Sequence, residues 1–162
     1  MPDLKAPLLF VDDEPAFRAL MVERLSENGF EVTEAACGEK ALQLLEQVAF
    51  DVVITDLRMP GDIDGTQVIE TAIKRYPGII GIIITGYGTV KDAVDAIKRG
   101  AFDFIAKPFQ FDELLHVLQK AFEQQHLKQE NAYLRSQLDE RYSMGGILGK
   151  SSPMQALFQL LD

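Results

Sequence analysis

Three carboxylates, a hydroxyl and an amine close successive apolar runs of this chain: Asp12 and Asp13 follow LLFV, Asp56 follows VVIT, Thr85 follows IIGIII and Lys107 follows FDFIA. Short apolar runs alternating with helix-period segments read as parallel strands of βαβ units. Residues that end such strands converge on the crevice at the carboxyl edge of the sheet. Carboxylates gathered there repel one another unless a hard cation lies among them, and an all-oxygen donor set suits Mg2+. One carboxylate is then placed to act as a nucleophile toward phosphorus, while the lysine and the hydroxyl steady the phosphoryl oxygens. Lys107 precedes Pro108, which fits a tight turn, with a cis peptide as one option, that aims the amine inward.

The elements that must place these groups are marked by periodicity and by turn residues. Strands are expected over residues 8–11, 31–35, 52–55 and 79–84, with a fifth ending at Ala106; the fourth is apolar at nearly every position, as a buried central strand is. Pro15 suits the first turn of a helix, where its missing N–H costs nothing, and Phe17, Leu20, Met21 and Leu25 repeat at helical spacing up to Gly29. Further helices carry Ala41, Leu42, Leu44 and Leu45, then Val68, Ile69, Ala72 and Ile73 before Pro77 and Gly78, then Val90, Ala93, Val94 and Ile97 before Gly100. Leu114, Leu115, Leu118 and Phe122 complete a helix packed on the sheet. Gly86 and Gly88 leave the loop around Tyr87 weakly restrained.

From Leu127 the pattern changes. Leu127, Asn131, Leu134 and Leu138 recur at steps of four, three and four among charged residues, the spacing of a coiled-coil seam, and an Asn in such a seam fixes a two-stranded parallel register. The expected arrangement is a helix that leaves its domain and pairs with that of a second copy; a helix docked on its own domain is the alternative.

In order and spacing, LLFVDDEP, VVITDLRMPG, IIITGYGT and FDFIAKPF resemble the receiver domain of two-component response regulators, with Thr85 and Lys107 22 positions apart. The resemblance implies an α/β fold: a flavodoxin-like, doubly wound sheet of five parallel strands in the order 2-1-3-4-5, with a C-terminal helical extension. It also implies that Asp56 accepts a phosphoryl group from a sensor histidine kinase. Asp12, Asp13, Asp56 and the backbone carbonyl of Arg58 would hold Mg2+, and Thr85 and Lys107 would contact the phosphate. Thr85, Phe104 and Tyr87 would form the switch, although Phe104 suits an ordinary core position equally and Tyr87 a surface loop. In one place the chain departs from the family. Where receivers commonly read M-P-G-x-D-G, it runs Met59, Pro60, Gly61, Asp62, Ile63, Asp64, Gly65, one residue longer, beside the phosphorylation site. Asp62 and Asp64 either add oxygens to the cation or are loop residues in solvent.

The segment YSMGGILGKSSPMQALFQLLD contains GKS at Gly149 to Ser151, but the first glycine of a phosphate-binding loop would have to stand at Met144 and no strand precedes it. The segment resembles the opening of the AAA+ domain in transcription activators that work with sigma-54 RNA polymerase. The expected organisation is a receiver at residues 1–122, a helical coiled-coil linker at 123–142 and the start of a truncated AAA+ domain at 143–162. Two rival activities fit less well. A haloacid-dehalogenase-type phosphatase wants D-x-D-x-T where this chain has Asp12, Asp13, Glu14; a flavodoxin-like FMN carrier wants a Ser/Thr-rich phosphate loop after the first strand. A receiver kept only for dimerisation would have lost part of the acidic set.

Composition narrows the rest. A chain of 162 residues with 47% hydrophobic content supports one core of ordinary size plus an appendage. A formal net charge of -9 argues against a nucleic-acid surface within it. Cys37 is alone, so no internal disulfide forms, and the apolar stretches are too short for a signal peptide or a membrane span. A cytoplasmic phosphoacceptor domain, not itself an enzyme of independent turnover, is the expectation. It would use Mg2+, a sensor kinase and a second copy as partners, control a downstream AAA+ domain, and contact no nucleic acid or membrane.

Overall fold

A computed structural model describes residues 6–86 and 88–144, with side chains to residue 138. Five strands alternate with five helices: β1 (Pro7–Val11), α1 (Pro15–Glu27), β2 (Glu31–Ala35), α2 (Gly38–Gln47), β3 (Val52–Thr55), α3 (Gly65–Arg75), β4 (Ile80–Thr85), α4 (Val90–Lys98), β5 (Asp103–Ala106) and α5 (Phe111–Met144). The strands form one parallel sheet in the order β2-β1-β3-β4-β5, as the resemblance implied. Register aligns Val11 with Thr55 and Thr85 with Ala106. The residues that follow β1, β3 and β5 and the last residue of β4 therefore stand at one edge.

Because strand side chains alternate between faces, each strand feeds two cores. Leu8, Phe10, Ile54, Ile82 and Ile105 meet Met21 and Leu25 of α1 and Leu114 and Leu118 of α5. On the opposite face Leu9, Val11 and Val53 pack with Ala41 and Leu45 of α2 and Val68 and Ala72 of α3. Every residue of β3 and β4 is buried, which requires cover on both faces and explains the uninterrupted apolar runs. Local chemistry sets the helix ends. Asp64 and Thr89 close reciprocal capping boxes with Gln67 and Asp92, and Gly29 and Gly100 take positive φ just beyond α1 and α4.

Two helices carry apolar residues away from the core. Leu20 on α1 is half exposed, and Val90, Val94 and Ile97 form an outward stripe on α4, with Val90 82% exposed. Only Ala96 of α4 is buried, because this short helix rests on the sheet through its small-residue face. The chain divides into compact units at Phe122 and Glu123. Within the second, α5 exposes Leu127, Asn131, Tyr133 and Leu134, and Leu138 is half-buried. Helical surface pairs join His126 to Glu130 and Gln137 to Tyr133. Residues 145–162, nearly all of the expected AAA+ segment, lie outside the described residues.

Candidate functional site

The carboxyl edge is built by main-chain hydrogen bonds that continue the sheet beyond its strands. Asp12 N donates to Ala35 O (3.1 Å), Asp56 N to Val11 O (2.9 Å) and Lys107 N to Thr85 O (2.9 Å). Each site residue is thereby held by the strand beside its own. Arg18 in α1 secures the first loop by donating to the backbone carbonyl of Asp12 (2.6 Å) and to Glu34 (2.9 Å). Below Asp56, Gly65 lies against the Asp56 carbonyl so closely that a side chain there would collide with it, a close approach that only glycine permits.

Carboxylate oxygens of Asp12, Asp13 and Asp56 can all lie within 4.8 Å of one another; Asp12 and Asp56 are buried and Asp13 is exposed. The Lys107–Pro108 peptide is cis, and the lysine reaches inward: Nζ donates to Asp12 Oδ2 (3.0 Å) and Asp56 Oδ2 (3.3 Å). It also lies 4.2 Å from the centroid of the Phe17 ring, a cation–π contact that fixes the amine over the crevice. Asp12 Oδ1 accepts from Glu14 N (2.8 Å), and Asp56 Oδ1 from Arg58 N (3.4 Å). Asp13, Glu14, Asp56, Arg58, Gly86 and Lys107 line the opening.

Electrostatics follow from this burial. Desolvation pushes the Asp12 carboxyl above the usual carboxylate range and is aided by Asp56; the Glu14 amide and Lys107 oppose it without overcoming it. Burial works against the Lys107 ammonium too, yet its contacts with Asp12 and Asp56 outweigh this and raise its pKa. The two partners move in the same direction because Asp12, at 2% side-chain exposure against 20% for Lys107, loses more hydration. Three carboxylates face one ammonium, so the cluster holds a surplus of two negative charges. A divalent cation with oxygen ligands fits that donor set.

Thr85 is buried at the end of β4. Phe104 is half-buried and packs with the cluster of Leu57, Ile69, Ile83 and Ala96. A Cβ on Gly88 would strike the Phe104 ring and the Thr85 methyl, so Thr85, Gly88 and Phe104 share one tight contact. Tyr87 lies outside the described residues. Asp62 and Asp64 stand apart from the carboxylate cluster: Asp64 caps α3, accepting from Gln67 N (3.0 Å) and Thr66 Oγ1 (2.6 Å). The main chain of Asp62 and Ile63 donates to Glu39 Oε1 at 3.2 and 3.1 Å. Phe17, Arg18 and Glu39 were not legible as site residues, since in sequence they read as an ordinary helix core position and two helix surface charges. The line of Leu127, Asn131, Leu134 and Leu138 belongs to the second unit and not to this crevice.

The family model for the response regulator receiver domain matches residues 8–119. The chain is 41% identical over 140 residues to a putative NtrX-like response regulator of Rickettsia felis, covering 86% of this chain and 30% of that protein. It is 37% identical over 159 residues to the C4-dicarboxylate transport transcriptional regulatory protein DctD of Pseudomonas aeruginosa, covering 96% of this chain and 34% of that protein. Among solved structures, the beryllofluoride-activated NtrC4 receiver domain dimer superposes with a TM-score of 0.68 at 34% identity, over 74% of this chain and 98% of that one. The chain spans about a third of the length of the curated relatives it matches.

Proposed function

Since this chain belongs to the response regulator receiver family, a phosphorylation-controlled class, we propose that Asp56 accepts a phosphoryl group from a phosphohistidine of a sensor kinase. An Asp56 carboxylate oxygen bonds to phosphorus as the P–N bond breaks, and the leaving electron pair stays on the imidazole nitrogen. Asp12, Asp13, Asp56 and the Arg58 carbonyl would hold Mg2+, which would supply positive charge to the phosphoryl oxygens. Lys107 supplies a second positive charge whose Nζ needs to move only from one carboxylate of the cluster to the new phosphoryl oxygens. The observation that carries this reading is that amine, 3.0 Å from Asp12 and 3.3 Å from Asp56 at the strand edge.

The Thr85 hydroxyl then binds a phosphoryl oxygen. Its shift loosens the contact with Phe104 and Gly88, and the aromatic side chain turns toward the space that Thr85 vacates. The outward stripe Val90, Val94 and Ile97 is the surface that changes, with Tyr87, which stands between Thr85 and that stripe in sequence, as the third switch residue. A second copy pairs through the receiver and through Leu127, Asn131, Leu134 and Leu138, of which Leu127 and Leu134 are 62% and 52% exposed. In the whole protein this dimer governs a sigma-54-dependent AAA+ domain beyond residue 142, residues 123–142 acting as the connector; the transcriptional regulator named above supports that setting. The regulator works in the cytoplasm, and no helix among the described residues is long and apolar enough to cross a membrane. With a net charge of -9, this part of the protein leaves nucleic acid to others.

The test is incubation with acetyl phosphate and Mg2+. A hydroxylamine-labile acyl phosphate forms on Asp56 alone, and Asp56→Asn abolishes it because an amide is too poor a nucleophile. Labelling of Asp56→Asn at the wild-type rate would overturn the assignment. Analytical ultracentrifugation with and without beryllofluoride then reads the change in assembly.

A further inference from the structure

The loop with the extra residue is clamped to α2 by a single carboxylate. Glu39, in the first turn of α2, accepts two successive backbone amides on one oxygen, Asp62 N at 3.2 Å and Ile63 N at 3.1 Å. Gly61 takes φ +103, and a Cβ on it would lie 2.7 Å from the Glu39 carboxylate oxygens. At the same seam Gly38 has no room for a Cβ, which would meet Ile63 at 2.6 Å. Two glycines and two amides thus fit this loop to one side chain. Met59 and Ile63 also pack against the core shared by α2 and α3, but from Met59 to Ile63 no other side-chain hydrogen bond fixes the backbone among the described residues; the next ones are Arg58 N on Asp56 and the Asp64 cap.

We propose that Glu39 is a positioning residue for the phosphoacceptor site: by hydrogen-bonding the Asp62 and Ile63 amides it holds the β3–α3 loop so that the Arg58 carbonyl is aimed at the cation. The inference rests on the proposed Mg2+ role of Arg58. The physical cause is preorganisation. A carbonyl on a loop that samples several conformations binds with an affinity reduced by the fraction of time spent in the competent one. Glu39 is itself exposed and its carboxylate accepts from the loop amides of Asp62 and Ile63, so it acts through the loop. The longer loop has one more residue to order than the common family form, and the clamp supplies that order.

Two replacements separate a hydrogen-bond clamp from a plain charge effect. Glu39→Gln keeps an acceptor oxygen at the same reach and loses the charge. Glu39→Asp keeps the charge and is one methylene too short to reach both amides. Mg2+ affinity is read from calorimetric titration of the full chain, and phosphoryl lifetime from the decay of acetyl-phosphate-labelled protein. Glu39→Asp is expected to weaken Mg2+ about 10-fold, the low end for residues that orient metal ligands, and to change the phosphoryl lifetime, while Glu39→Gln stays near wild type. Gly38→Ala, which displaces Ile63 and leaves the carboxylate untouched, should follow Glu39→Asp. Glu39→Asp matching wild type in both measurements overturns the proposal, as does a weakened Glu39→Gln beside a normal Glu39→Asp, which would mean that only charge matters. If the wild-type chain neither binds Mg2+ nor becomes labelled, the receiver mechanism itself fails, a result separate from either of these.

Discussion

Replacing Asp12 by Asn should raise the stability of the metal-free protein and remove its response to Mg2+. Asp12 has 2% side-chain exposure, and burial holds its pKa above 3.8 even with Lys107 alongside. The direction of that shift fixes the sign. A carboxyl whose folded pKa is raised contributes most below pH 3.8, and that contribution is lost as pH rises through the folded value. At pH 7 the ionised Asp12 therefore opposes folding. Asn keeps the Oδ1 acceptor for Glu14 N and removes the repulsion with Asp56, while its NH2 group replaces the oxygen that accepted from Lys107, so the ammonium turns wholly to Asp56. The shift fixes only the direction; single stabilising replacements commonly give on the order of 1 kcal/mol, or about 4 °C for a domain of this size. Wild type should move further with cation, since saturation at about 100 times Kd is worth about 2.7 kcal/mol, roughly 10 °C. Differential scanning calorimetry in EDTA and in excess Mg2+ measures all four states. An Asn variant that melts below wild type in EDTA, or that climbs with Mg2+ as wild type does, would refute the electrostatic account.

Lys107→Ala should still be labelled at Asp56 but respond weakly, because the charge-assisted contact to the phosphoryl oxygens is gone; an unchanged beryllofluoride-induced shift in sedimentation would contradict this. Raising the pH probes the same lysine: its elevated pKa makes its stabilising contribution complete below pH 10.5 and lost above the folded value, which an alkaline melting series on wild type and Lys107→Ala detects. Gly88→Ala forces a methyl group into the Phe104 ring and the Thr85 methyl, and should cost about 1 to 3 kcal/mol by overpacking, read from urea denaturation. Leu134→Asp places a charge in the proposed paired seam and should convert the unphosphorylated dimer to a monomer in sedimentation equilibrium; a wild-type monomer at high micromolar concentration would remove the dimer mechanism while leaving the Asp56 assignment standing.

The positions of the strand ends were legible because β3 and β4 are buried on both faces and so appear as unbroken apolar runs whose last residues can be read directly. Thr85 proved to be the last residue of β4 and not the one after it, a shift of one that leaves its place at the edge unchanged. The cap of α3 was hidden in the longer loop, where Asp64 had two readings; the reciprocal bonds with Gln67 assign it to the helix. Periodicity placed Val90, Val94 and Ile97 on one face of α4 but did not say whether that face was covered, because coverage depends on which side of the helix the sheet meets, here the side of Ala96.

What the sequence determined alone is therefore what short-range physics controls: burial pattern along each strand, helix phase, turn chemistry, and from these the convergence of Asp12, Asp13, Asp56, Thr85 and Lys107 on one edge. Tertiary structure alone decided the contacts between residues far apart in the chain. Phe17 beneath the Lys107 amine, Glu39 against the loop at residues 61–63 and Gly88 against Phe104 join separate elements. Their side-chain types carry no local preference for one another, and only the packing of helices on a twisted sheet brings them within hydrogen-bond or van der Waals reach.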